Sequence, residues 1–102
     1  MLITTDVRGS RACVVMQGKL TVATSPDLEE AMRKLDESND VVDYDLDLAG
    51  LEYISSAGLR ILVATQKLAS RKGGTMRLLN PNDDILDIFE MTGLSDVMTI
   101  VR

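Results

Sequence analysis

The chain has 102 residues, a net charge of −5, no histidine and a single cysteine. That length supports one domain with a modest core, and Cys13 alone cannot close an internal disulfide. The acidic balance disfavours direct nucleic-acid binding, and the missing histidine removes Ser/His catalysis and most zinc chemistry.

Hydrophobic residues make up 45% of the chain, yet the aromatics are only two Tyr and one Phe, so an aliphatic core is expected. No stretch approaches the ~20 apolar residues of a membrane span. Met1–Asp6 lacks a basic start followed by an apolar run, so no signal peptide is expected. These readings point to a cytoplasmic protein without a membrane partner. Cys13 lies in an apolar run and reads as a small buried hydrophobe.

In chain order, residues 2–7 read as a weak first strand and Arg8-Gly9-Ser10 as a turn. Arg11–Gln17 is a second strand, and the short connection makes the two an antiparallel hairpin. Gly18-Lys19-Leu20-Thr21 reads as a loop. Ser25-Pro26-Asp27 opens a helix, with Ser25 as cap, and Leu28, Ala31, Met32 and Leu35 recur at helical spacing. Ser38-Asn39-Asp40 ends it.

The central strand follows. Val42, Tyr44, Leu46 and Leu48 alternate with Asp43, Asp45 and Asp47. Three aspartates buried without partners would cost several kcal/mol, so their face is expected to be at least partly open to water, with the long helices on the other. Arg11 and Arg77 should join the aspartates from neighbouring strands. Aspartates two apart on a strand are ~7 Å from one another, too far to chelate one ion, so no metal is expected.

Ala49-Gly50 reads as a loop without strand-forming bulk. Ser55 or Ser56 then caps a helix that carries the apolar run Leu59–Leu68 and stops at Lys72-Gly73-Gly74. Ile61, Leu62, Leu68 and Ala69 are expected inside. Arg60, Lys67 and Arg71 form an exposed basic stripe, with Leu59 and Val63 beside it. Thr75–Leu79 is a strand, and Asn80-Pro81-Asn82-Asp83 turns into a helix bearing Ile85, Leu86, Ile88, Phe89 and Met91. Thr92-Gly93-Leu94 is a break, and Val97–Val101 a short last strand. Strands alternating with helices imply parallel pairing through right-handed crossovers. The fold class is α/β: a mostly parallel sheet of four or five strands with helices mainly on one face.

The run Asp47-Leu48-Ala49-Gly50-Leu51-Glu52-Tyr53-Ile54-Ser55-Ser56-Ala57-Gly58-Leu59 resembles the signature of the STAS domain, and more narrowly the bacterial anti-sigma factor antagonists. The likeness covers nearly the whole chain as one domain, residues 1–102, including Met91-Thr92-Gly93-Leu94. It implies a protein that acts by binding, with no catalytic group and no cofactor. The unphosphorylated form would capture an anti-sigma factor serine kinase and so free a sigma factor. Phosphorylation of Ser56 would release that kinase, and a serine phosphatase would reset the switch. The partner surface would comprise Thr21, Ser55, Ser56, Leu59, Arg60 and Val63 on a monomer. In this family an aspartate commonly precedes the phosphorylated serine, where this chain has Ser55, a competing acceptor. Another aspartate commonly occupies the loop position of Thr21. The alternatives are a scaffold or transporter-accessory module in which Ser56 is only a cap, and a small enzyme with a serine nucleophile activated by lysine.

Overall fold

The computed structural model describes residues 1–37 and 40–102. The expected helix stop at Ser38-Asn39 lies outside the described residues. Five strands form one sheet in the order β1 (Leu2–Arg8), β2 (Arg11–Leu20), β3 (Asp43–Ile54), β4 (Met76–Leu79) and β5 (Thr99–Val101). β1 and β2 form the antiparallel hairpin, and the other three pairings are parallel. Helices α1 (Ser25–Asp36), α2 (Ser56–Arg71) and α3 (Asp83–Met91) make the crossovers, with a 3-10 turn at Leu94–Asp96 before β5.

The core lies between the three helices and one face of the sheet. Alternate strand residues Ala12, Val14 and Met16, then Tyr44, Leu46 and Leu48, then Met76 and Leu78 are buried there. Leu28, Met32 and Leu35 of α1, Leu62 and Ala69 of α2, and Ile85 and Phe89 of α3 join the same cluster. Each large aliphatic side chain fully removed from water contributes roughly 1.5–3 kcal/mol. Val42 departs from the expected alternation: it precedes β3 and is half-buried, and Val41 enters the core instead. Met91 is 83% exposed, because α3 ends there and its apolar stripe has already turned past the sheet.

The opposite face carries the aspartates, as the alternation requires, but Asp45 is not wet. It is 6% exposed and held by two arginines. Arg77 donates from Nε to Oδ1 at 2.8 Å and from Nη2 to Oδ2 at 2.7 Å, and Arg11 Nη1 donates to Oδ1 at 3.0 Å. Asp43 accepts from the Thr75 amide at 2.9 Å and the Thr75 hydroxyl at 3.0 Å, which fixes the entry to β4. Asp47 and Cys13 are half-buried on this face. Cys13 is therefore less buried than its apolar neighbours suggest, since only alternate residues of β2 reach the helices. Partial burial, then Asp45, Asp47 and Asp6, push its thiol pKa up, so it is held protonated.

Several boundaries differ from the sequence reading. β2 continues through Gly18 and Lys19 to Leu20, and β3 continues through Ala49 and Gly50 to Ile54. Two register shifts accommodate this length. A Cβ at Gly50 would lie 2.8 Å from Gln17 Cγ, so the small residue serves close strand packing and not a loop. Ser25 is the first residue of α1, and Thr24 holds the cap position without a side-chain cap bond. Gly73 ends α2 in the left-handed conformation, φ 79°, as expected. Lys72 Nζ donates to the Val41 carbonyl and to Tyr44 Oη, both at 2.9 Å, and Tyr44 Oη donates to Asp36 at 3.1 Å. This polar chain ties the C-terminal ends of α1 and α2 to the start of β3.

The arginine pair, Arg77 first, holds the Asp45 carboxyl below its ordinary range. A carboxylate with a depressed folded-state pKa stabilises the fold at neutral pH, and that contribution is lost as pH falls below ~4 through the folded value. Both arginines are partly exposed, which screens the pair, so Asp45→Asn should cost about 1–2 kcal/mol at pH 7. Urea unfolding at pH 7 and pH 3 checks this. The variant should lose less stability than the parent between those two values, and an equal loss would refute the role.

Candidate functional site

The site is built where β2 and β3 end. Leu20 pairs with Ile54, and the Ser55 amide donates to the Leu20 carbonyl at 2.8 Å. Parallel strands deliver their following loops to one edge of a sheet, so the Thr21–Thr24 turn and the mouth of α2 lie side by side. The turn is closed by its own threonines. Thr24 Oγ1 accepts from the Thr21 amide at 2.8 Å and donates to the Lys19 carbonyl at 2.7 Å. Thr21 Oγ1 accepts from the Thr24 amide at 3.2 Å. Thr21 is half-buried.

The two serines have separate duties. Ser55 is extended, φ −87° and ψ 170°, and its Oγ accepts from the Gly58 amide at 3.2 Å. It is buried, with 7% exposure. Ser56 is the first residue of α2 and is exposed. Gly58 faces the strand ends. A Cβ there would lie 2.6 Å from Leu20 Cδ2 and 3.0 Å from Ile54 Cγ1. The Ser-Ser-x-Gly spacing thus has a physical content: cap, exposed hydroxyl, and close approach of helix to sheet.

Along α2, Gly58, Leu62, Thr65 and Ala69 face the sheet. Ile61 and Leu68 are half-buried, not interior as their hydrophobicity suggested, because they line the groove between α1 and α2. Arg60, Lys67 and Arg71 form the expected exposed stripe. None of the three forms an ion pair among the described residues. Leu59 and Val63 are half-buried and line a cleft of about 500 Å³ with Arg60, Lys67, Thr92 and Leu94. Sequence reasoning missed Thr92 and Leu94 as parts of this surface. Their signal was the Thr-Gly-Leu break, where Gly93 at φ 77° turns the chain back toward α2.

Six expected residues therefore divide by place. Thr21, Ser55 and Ser56 lie at the joined strand ends; Leu59, Arg60 and Val63 continue from there along α2. Among the described residues no group of three or more acidic, Cys or His side chains is arranged to hold a metal ion. No described helix is long and apolar enough to cross a membrane.

The division of duties is measurable. Ser55→Ala should cost about 1 kcal/mol as a lost cap, whereas Ser56→Ala should change stability by less than ~0.5 kcal/mol. Paired chemical denaturation curves separate the two, and equal losses would contradict the assignment. In an ordinary helix Gly→Ala gains up to ~1 kcal/mol. At Gly58 overpacking against Leu20 should outweigh that gain, leaving Gly58→Ala about 1–2 kcal/mol less stable than the parent. A thermal melt showing stabilisation would contradict this account.

Comparison with known proteins agrees with this architecture. The STAS domain family model matches residues 3–102. An anti-sigma-B factor antagonist of Bacillus subtilis is 31% identical over 87 residues, covering 85% of this chain and 78% of that protein. An anti-sigma factor antagonist from Mycobacterium paratuberculosis superposes with a TM-score of 0.86 at 21% identity, over 98% of this chain and 84% of that one. The Bacillus cell fate determinant SpoIIAA in its phosphorylated form gives a TM-score of 0.78 at 16% identity, over 99% and 92%. At those identities the structural likeness establishes the fold, and the sequence likeness to the Bacillus subtilis protein carries the kinship further. With its one mostly parallel sheet, helices on one side and a serine pair at the mouth of α2, the chain belongs to the STAS domain family, among the bacterial anti-sigma factor antagonists.

Proposed function

We propose that this protein is an anti-sigma factor antagonist switched at Ser56. Unphosphorylated, it binds an anti-sigma factor serine kinase through the Thr21 turn, the serine pair and the exposed side of α2, and so frees a sigma factor. The kinase moves the γ-phosphoryl of its own ATP to Ser56 Oγ; ADP leaves and the hydroxyl proton is released. The phosphoprotein detaches, and a serine phosphatase hydrolyses the ester to restore the hydroxyl. Any nucleotide in the cycle belongs to the kinase.

The observation that carries this reading is the exposure of Ser56 beside a buried Ser55 that already serves as cap. An acceptor must reach a kinase active site, and a hydroxyl enclosed at a helix mouth does not. The difference in exposure favours Ser56 over Ser55 as the acceptor. The scaffold alternative gave Ser56 the duty of capping, and that duty belongs to Ser55. A phosphoryl group at Ser56 adds nearly two negative charges two residues past the end of β3, whose last residues include exposed Glu52 and Tyr53. Such charge repels a docked surface without disturbing the core beneath.

Titration calorimetry against the cognate kinase tests this reading. Ser56→Ala should bind and stay bound when ATP is supplied, since it takes no phosphoryl group. Ser56→Asp should bind at least ~10-fold more weakly, a difference of about 1.4 kcal/mol. Equal affinity of the two variants would show that charge at this position is not the switch.

A further inference from the structure

Arg60 stands one turn after Ser56 on the exposed side of α2. Helical positions four apart bring their Cβ atoms to about 5–6 Å, and an anion placed N-terminal to the cation is the favourable order. The first turn of α2 holds no acidic residue, whereas α1 begins with Asp27 and α3 with Asp83 and Asp84. Arg60 therefore has no fixed carboxylate ahead of it on its own helix. Across the groove to α1 stand Glu29, Arg33 and Asp36. Arg33 is paired with Glu30 and Glu37, and Asp36 accepts from Tyr44. No ion pair joins Glu29 to Arg60 among the described residues.

Arg60 also borders the cleft of Leu59, Val63 and Leu94, where Lys67 is the other cation. Arg60 thus stands between the proposed acceptor serine and this mainly apolar cleft, within helical reach of the first and on the rim of the second. Its planar fork matches phosphate oxygens, and its flexible stem allows it to turn either way.

We propose that a phosphoryl group on Ser56 is held by Arg60 across one turn of α2, and that this pairing withdraws Arg60 from the cleft rim that faces the kinase. The inference rests on Ser56 being the acceptor and adds a second action to its modification. Phosphorylation brings negative charge and also removes a cation from the docking face. In the unmodified protein Arg60 remains available to an acidic side chain of the partner.

The test needs no kinase. Phosphoserine is installed at position 56 during synthesis of the full chain, and phosphorus NMR follows its second ionisation, ordinarily near ~6. The opposite charge of Arg60 favours the dianion, so the midpoint should lie roughly 0.3 pH units below that of the Arg60→Gln phosphoprotein. Arg60→Lys should keep part of the shift, and Lys67→Gln, three turns beyond Ser56, should leave the midpoint in place. The shift should shrink in ~1 M salt, where the screening length falls to about 3 Å. Midpoints of the parent and Arg60→Gln agreeing within ~0.1 unit, or a shift equally lost in Lys67→Gln, would overturn the pairing. Failure of the host kinase to modify Ser56 would instead undo the functional reading and leave this measurement intact.

Discussion

The parallel pairing of β2 with β3 is the constraint on which the site depends. Its last rung, Leu20 against Ile54, is extended by the Ser55 amide bonding to the Leu20 carbonyl. That bond fixes where α2 begins and which loop it begins beside. A one-residue slip in this pairing would turn the core residues of β3 outward. It would also move the serine pair away from the Thr21 turn. The Asp45 ion pairs reinforce the same register from the far face, since Arg11 comes from β2 and Arg77 from β4. Asp45 joins three strands at the centre of the sheet, so the open face contributes to specificity of pairing as well as to solubility.

At the mouth of α2, the helix cap and the proposed phosphate acceptor fall on adjacent residues. Ser55 satisfies an amide that the helix leaves unpaired, and Gly58 lets the first turn close on Leu20 and Ile54. Ser56 carries neither duty. A modification there meets solvent and not the core, which suits a switch read by a partner and not by refolding. Stability and the proposed switch would therefore rest on different side chains, although one peptide bond separates the two residues.

The sequence was most legible where a repeat has one physical meaning. Alternation in residues 42–48 placed Leu46 and Leu48 under the helices and Asp45 on the other face, because a strand has only two sides. The stripe of Arg60, Lys67 and Arg71 was equally readable from helical spacing. The same alternation brought Arg11 and Arg77 to the aspartate face, but it does not contain how closely they enclose a carboxylate, so the burial of Asp45 was missed. Ala49-Gly50 looked like a loop because small residues lack strand preference. In the fold the absence of a side chain is what lets Gly50 pass Gln17. Ile61 and Leu68 were placed inside on hydrophobicity alone, but a groove between α1 and α2 leaves them half open. Which of two serines caps a helix depends on one residue of phase, set by the Ser55–Leu20 bond.

Charge distribution gives the last link between fold and function. The protein is acidic overall, and its ionic contacts use Arg8, Arg11, Arg33 and Arg77. The basic residues on the outer side of α2 are left out of these contacts among the described residues. In a chain of net charge −5, three unpaired cations along one helix face make a local reversal of sign. Such a reversal would favour an acidic surface on the proposed partner, and salt would weaken the attraction. The stripe begins at Arg60, one turn from Ser56, so a phosphoryl group there would meet its first cation before any of the others.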